Sequence, residues 1–124
     1  MPKIKRFEDI EAWQKTRELT REIYEITNKN NFTKDYYLKD QIRRASTSIM
    51  LNISKGFARK TDKEFARFLT QAHGSAAEVQ SVLYVALDQN YITQDQFDFL
   101  YSFAEKISKM IMNFTLYLTK GKEK

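Results

Sequence analysis

The sequence predicts an all-α protein, an up-down-up-down antiparallel four-helix bundle in a single domain spanning residues 1–124. Two observations carry this expectation. Chain-breaking residues are scarce: the one proline is Pro2, and the glycines are Gly56, Gly74 and Gly121. A sheet-rich fold needs many tight turns and the residues that make them, so the scarcity favours long helices. Apolar residues also recur every three or four positions in four long segments, which is the period of an amphipathic helix. Short connections leave each helix antiparallel to the last, and a four-helix bundle is the economical packing.

The first helix is expected over about residues 8–28, with Ala12, Thr16, Leu19, Ile23 and Ile26 on one side and Trp13, Thr20 and Tyr24 beside them. Asn28-Lys-Asn-Asn31 reads as its stop. The second, about 35–55, lines up Leu38, Ile42, Ala45, Ile49 and Ile53 and puts Gly56 where a left-handed C-terminal cap belongs. The third, about 62–90, follows Thr61 with Glu64, the pattern of a reciprocal capping box. Its inward positions are Phe65, Phe68, Leu69, Ala72, Ala76, Val79, Val82, Leu83 and Ala86, and Asn90 ends it. The fourth, about 94–120, opens with a second box at Thr93 and Gln96. It carries Phe97, Leu100, Ala104, Ile107, Ile111, Phe114 and Leu118 to a stop near Gly121, followed by a short basic tail.

Composition narrows the function classes. With 42% hydrophobic and 30% charged residues the chain is an ordinary soluble one. Absence of cysteine removes disulfides and thiol chemistry and suits a reducing cytoplasm. The first ten residues are too charged for a signal peptide, and no apolar run approaches the roughly 18 residues that span a bilayer. The expectation is a cytoplasmic protein with no membrane partner. The only histidine, His73, has no carboxylate three or four residues away, so the Glu-x-x-His pattern of di-iron bundles is missing. There is no Gly-rich phosphate loop. Hence no catalytic residue, metal, cofactor or small-molecule substrate is expected, and Ser46, Ser48, Ser54 and Ser75 read as residues that allow tight packing or bond back to the preceding turn.

Two surface signals remain. Between Asp40 and Asp62 the chain has no acidic residue but carries Arg43, Arg44, Lys55, Arg59 and Lys60, and this +5 equals the net charge of the whole molecule. With Lys63 and Arg67 around the next corner, these residues form a candidate phosphate-contacting surface for RNA or DNA. Phe57 is the one aromatic inside the segment, so contact with the backbone is expected and reading of bases is not. In the alternative reading the protein is an assembly or adaptor with a protein partner, and the arginines serve structural ion pairs.

The second signal is excess apolar surface. Helix 4 carries Phe99, Phe103, Met110 and Tyr117 on one flank of its core stripe and Tyr101, Met112 and Leu116 on the other. That is wider than one buried face requires, and it points to a subunit contact. The competing cover is the short tail or the N-terminal segment with Ile4, Phe7 and Ile10. On helix 3, Ala66, His73, Ala77 and Tyr84 lie beside the core positions, next to the small-residue run Gly74-Ser75-Ala-Ala77. An interior glycine costs about 1 kcal/mol against alanine, so close approach of another helix is its usual reason. Ala66, His73, Ala77 and Tyr84 of helix 3, with Phe99, Phe103, Met110 and Tyr117 of helix 4, are the candidate oligomer interface.

Several ordered motifs resemble a known family. They are Phe7-Glu-Asp-Ile-Glu-Ala-Trp13-Gln14, Gln41-Ile-Arg-Arg-Ala-Ser-Thr-Ser-Ile49, Asn52-Ile53-Ser-Lys-Gly56-Phe-Ala-Arg59, Glu64-Phe65 and Gly74-Ser75-Ala-Ala-Glu78. Together they are similar to the 23S rRNA intervening-sequence proteins, often labelled S23 ribosomal proteins, a family that includes the accessory variability determinant of diversity-generating retroelements. The resemblance implies a bacterial four-helix bundle, commonly a ring-shaped homopentamer, with no enzymatic activity. It also implies binding to nucleic acid and a reverse transcriptase in the retroelement branch. Arg43 and Arg44 match the family's paired arginines, Asn52, Ile53 and Gly56 its Asn-Ile-x-Glu-Gly signature, and Gly74, Ser75 and Glu78 its helix 3 signature. The signature's glutamate is Lys55 here, which makes this surface more positive than the family pattern.

Overall fold

The structure is a computed structural model that describes residues 4–120. A 3-10 turn at Phe7–Asp9 leads into α1 (Glu11–Thr27), and a second at Asn30–Lys34 leads into α2 (Tyr36–Phe57). Then follow α3 (Asp62–Asp88) and α4 (Gln94–Lys120), with no strand among the described residues. Each helix packs on the next, and α1 also packs on α4, which closes the ring of a four-helix bundle.

Cross-helix contacts join the end of one helix to the start of the next, as antiparallel neighbours do. Arg43 reaches Thr27 while Thr20 reaches Met50. Phe65 and Phe114 meet edge to face at one end of α3 and α4, and Tyr84 meets Phe97 at the other.

One continuous core runs through the bundle. The stripes expected on α2, α3 and α4 are all buried, as are Ala12, Thr16, Leu19 and Ile23 of α1. Ile26 is only partly buried, and Thr27 takes the inward place instead. Burial on this scale drives folding by removing apolar surface from water.

Helix ends show which local signals hold. Thr93 and Gln96 form both halves of their box: the Gln96 N–H donates to Thr93 Oγ1 at 3.1 Å and the Thr93 N–H to Gln96 Oε1 at 2.8 Å. Thr61 accepts from the Glu64 N–H at 3.1 Å, but the Glu64 carboxylate turns to Arg67. Asn90 adopts a left-handed backbone (φ 61°) just past the end of α3, and the Tyr91 and Asn90 N–H groups donate to the Ala86 and Leu87 carbonyls. That is the Schellman closure, and it satisfies carbonyls the helix would otherwise orphan.

Gly56 does not cap α2. It lies inside the helix, with Ala58 as the C-cap, and no described glycine has a positive φ. Its role is space: a Cβ there would stand 2.8 Å from Phe65 Cδ1 and 2.9 Å from Phe68 Cβ. A glycine is what lets α2 and α3 close at this end. The expected stop at Gly121 and the basic tail lie outside the described residues.

Candidate nucleic-acid interface

The cations of α2 and α3 divide into three groups. Arg43 is half-buried and committed to α1. Its Nε donates to Thr27 Oγ1 and its Nη2 to Asn28 Oδ1, both at 2.9 Å, with a longer bond to the Tyr24 carbonyl. Its guanidinium also stacks over the Tyr24 ring, 4.2 Å from the centroid. Every one of these partners is neutral, so the charge survives while Nε and Nη2 are bonded. Within the protomer Arg43 serves as a strut between α1 and α2.

Arg44 points to solvent and meets Asp40 at 3.5 Å. Pairs this exposed are weak and readily exchanged for a competing polyanion. A shallow hollow of about 470 Å³ runs past Arg43, Arg44, Leu51 and Lys55 on this side. At its floor Asn52 donates to the Ser48 carbonyl and Oγ, and Ser48 meets Ser75 of α3 at 3.0 Å. The two serines thus bridge α2 and α3 through their hydroxyls.

The third group gathers at the corner between α2 and α3. Arg59 and Arg67 each lie 4.8 Å from the centroid of Phe68, and Lys55 lies 5.7 Å from it. Phe68 is buried, so its ring is a fixed platform for three cations from two helices and the loop. Rings attract cations through their quadrupole, which offsets part of the mutual repulsion. Lys60 and Lys63 are exposed beside them. Glu64 bonds Arg67 at 3.0 Å. That hydrogen bond holds the Glu64 carboxyl below the usual carboxylate range, with Arg59 and Lys63 adding to the effect, and raises Arg67 in turn. Five cations here face two carboxylates, Asp62 and Glu64, so the corner keeps a charge of +3 however they pair.

The candidate oligomer residues are less uniform. Ala66 is 8% exposed and belongs to the protomer's own packing. Phe103 and Met110 are partly buried, and the N-terminal segment lies against Met110, since Ile4, Ile10 and Met110 line one hollow of about 430 Å³. His73 is half-buried and Ala77 exposed. Phe99, Tyr84 and Tyr117 stay open, each a little over half exposed, together with Met112 and Leu116. A Cβ at Gly74 would meet nothing within 4 Å, so no helix of the protomer explains that glycine.

Two features escaped the sequence reading. Phe68 was assigned to the core alone, and its second role depends on where three long side chains end. Tyr36 and Tyr37 are the most exposed large apolar residues, at 74% and 77%. Their signal was the aromatic pair directly after the capping Asp35, outside the core stripe.

Among the described residues no group of three or more His, Asp or Glu side chains is placed to hold a metal ion. No described helix is long and apolar enough to cross a membrane.

Residues 8–113 match the family model of the 23S rRNA-intervening sequence protein. Among solved structures, the chain is similar to a protein of unknown function from the S23 ribosomal protein family of Bacteroides thetaiotaomicron. The two share 24% identity at a TM-score of 0.76, covering 84% of this chain and 97% of the other. That likeness speaks for the fold. Comparison with curated proteins finds no match.

Proposed function

This chain belongs to the 23S rRNA-intervening sequence protein family, and we propose that it acts without catalysis, as a cytoplasmic bundle offering basic surface to the backbone of RNA or DNA. The observation that supports this is the α2–α3 corner, where Phe68 holds Lys55, Arg59 and Arg67 together and Lys60 and Lys63 extend the charge. Lysine and arginine side chains match phosphate oxygens without reading sequence. If five cations each meet one phosphate, log K falls against log salt with a slope of about −3.5 to −4.5.

Filter binding to structured RNA between low and moderate salt tests this. The variant Lys55→Ala/Arg59→Ala/Lys60→Ala/Lys63→Ala should bind weakly and with a shallower slope. Absence of binding at low salt, or affinity indifferent to the four substitutions, refutes the proposal.

The open aromatic flank of α4 favours a further element, contact with a protein. We take the partner to be another copy of this chain, with a homopentamer as the resemblance implies. Phe99 and Phe103 meet edge to face at 5.8 Å above a hollow that Lys15, Asp98 and Lys106 also line. An exposed apolar patch of this kind marks a contact surface. Sedimentation should report a multiple of the chain mass that falls in Phe99→Asp; a monomer at all concentrations removes this element and leaves the basic surface standing.

A further inference from the structure

Tyr36 and Tyr37 lie on the same helix as the basic surface, at its opposite end. We propose that the nucleic acid this surface takes is single-stranded, with unpaired bases stacking on Tyr36 and Tyr37; this rests on the backbone-binding reading above and specifies its ligand. The two rings stand out from the first turn of α2, three-quarters exposed, on backbone fixed by the Asp35 cap. Tyr37, Arg44, Leu51 and Lys55 succeed one another at spacings of seven, seven and four residues, so they run along one side of the helix. From Tyr37 to Lys55 this line is about 27 Å long. An aromatic end and a cationic end are thus joined by a single rigid element.

Charge beside the rings is balanced, Lys34 and Lys39 against Asp35 and Asp40, so the phosphate contacts belong to the cationic end of the line. The ammonium of Lys39 lies 5.2 Å from the Tyr36 centroid, and Lys34 is exposed just before the helix. Asp35 and Asp40 are the carboxylates beside the rings in sequence, and Asp35 keeps its charge because both of its donors are neutral. Asp35 accepts from the Leu38 N–H and the Tyr91 hydroxyl, and Asp40 pairs with Arg44. A tyrosine ring offers a broad π-face at small conformational cost, having only two side-chain torsions. Stacking on it requires a base whose face is free. Bases within a duplex already stack on each other, and an A-form helix presents phosphates and 2′-hydroxyls to a protein surface. Alternating phosphate contacts and aromatic platforms are how strands are held without sequence preference.

The test uses the full chain and a fluorescein-labelled 20-nucleotide RNA without self-complementarity, alone or annealed to its complement, with anisotropy read across a salt series. The wild type should favour the single strand. Tyr36→Ala/Tyr37→Ala should weaken that binding by about 5- to 150-fold per stacked base while the salt slope stays unchanged. Tyr36→Phe/Tyr37→Phe, which keeps the rings, should bind as the wild type does. Both rings face solvent, and thermal melts of the variants would register any folding defect. Equal affinity for strand and duplex, or an equal loss for both in the alanine variant, overturns this inference and leaves the basic surface intact. Failure to bind either RNA at low salt overturns the proposed function itself. An altered sedimenting mass with unchanged RNA affinity makes the tyrosines a contact between copies and also overturns the inference.

Discussion

Replacing each helical glycine by alanine should move stability in opposite directions. At Gly56 the added methyl would stand 2.8 and 2.9 Å from atoms of Phe65 and Phe68, inside any tolerated carbon–carbon separation. Phe65 has little room to retreat: it is 8% exposed and meets Phe57 and Phe114 edge to face. Forcing a methyl into packed surroundings costs about 1–3 kcal/mol. The helix-propensity gain from Gly to Ala, about 1 kcal/mol in a helix interior, offsets only part of that, and Gly56 sits in the last turn of α2. The net expectation is a loss of about 1–2 kcal/mol. At Gly74, in the middle of α3, the methyl meets nothing within 4 Å, so the propensity gain of about 1 kcal/mol stands alone. Urea unfolding followed by circular dichroism measures both, at two protein concentrations because assembly contributes to apparent stability. The midpoints should separate by about 1 M or more, with the wild type between them. A Gly56→Ala protein as stable as wild type would refute the close-packing account of α2 and α3. A Gly74→Ala protein that loses stability only where the chain is assembled would show a neighbouring subunit against that face.

Other expectations follow from burial and hydrogen bonding. Ile49 is fully buried on α2, so Ile49→Ala should destabilise by about 2–5 kcal/mol in the same urea assay, and a loss below 1 would mean the core collapses around the gap. Tyr91 donates to Asp35 Oδ2 at 2.9 Å, and that bond, with burial and the carboxylate's charge, raises the phenol above its ordinary value of 10. A group raised on folding contributes fully below its unfolded pKa and loses that contribution as pH rises through the folded one. Stability should therefore decline as pH climbs past about 10, and Tyr91→Phe should flatten that decline in thermal melts. An identical alkaline profile for both proteins would refute the coupling.

How much was legible in the residues depends on the range of the forces involved. Helix positions followed largely from period, a property of neighbours in sequence, although α1 begins at Glu11 after a 3-10 turn and Gly56 lies inside α2. The Thr93–Gln96 box and the Asn90 stop could be read for the same reason: the bonded atoms belong to one turn. Glu64 shows the limit, since two local partners competed for its carboxylate and Arg67 prevailed over the Thr61 backbone.

The sequence by itself determined four amphipathic helices, nearly all of their expected inward residues and an excess of positive charge between Asp40 and Asp62. It could not say what each cation touches. Arg43 and Arg44 are adjacent in the chain and read alike, yet 100° of helix rotation turns one toward α1 and the other to water. The same holds for Gly56, whose missing side chain matters only because Phe65 and Phe68 of the next helix arrive there. Which side chains meet across helices depends on packing between segments distant in sequence, and that is set only when the bundle closes.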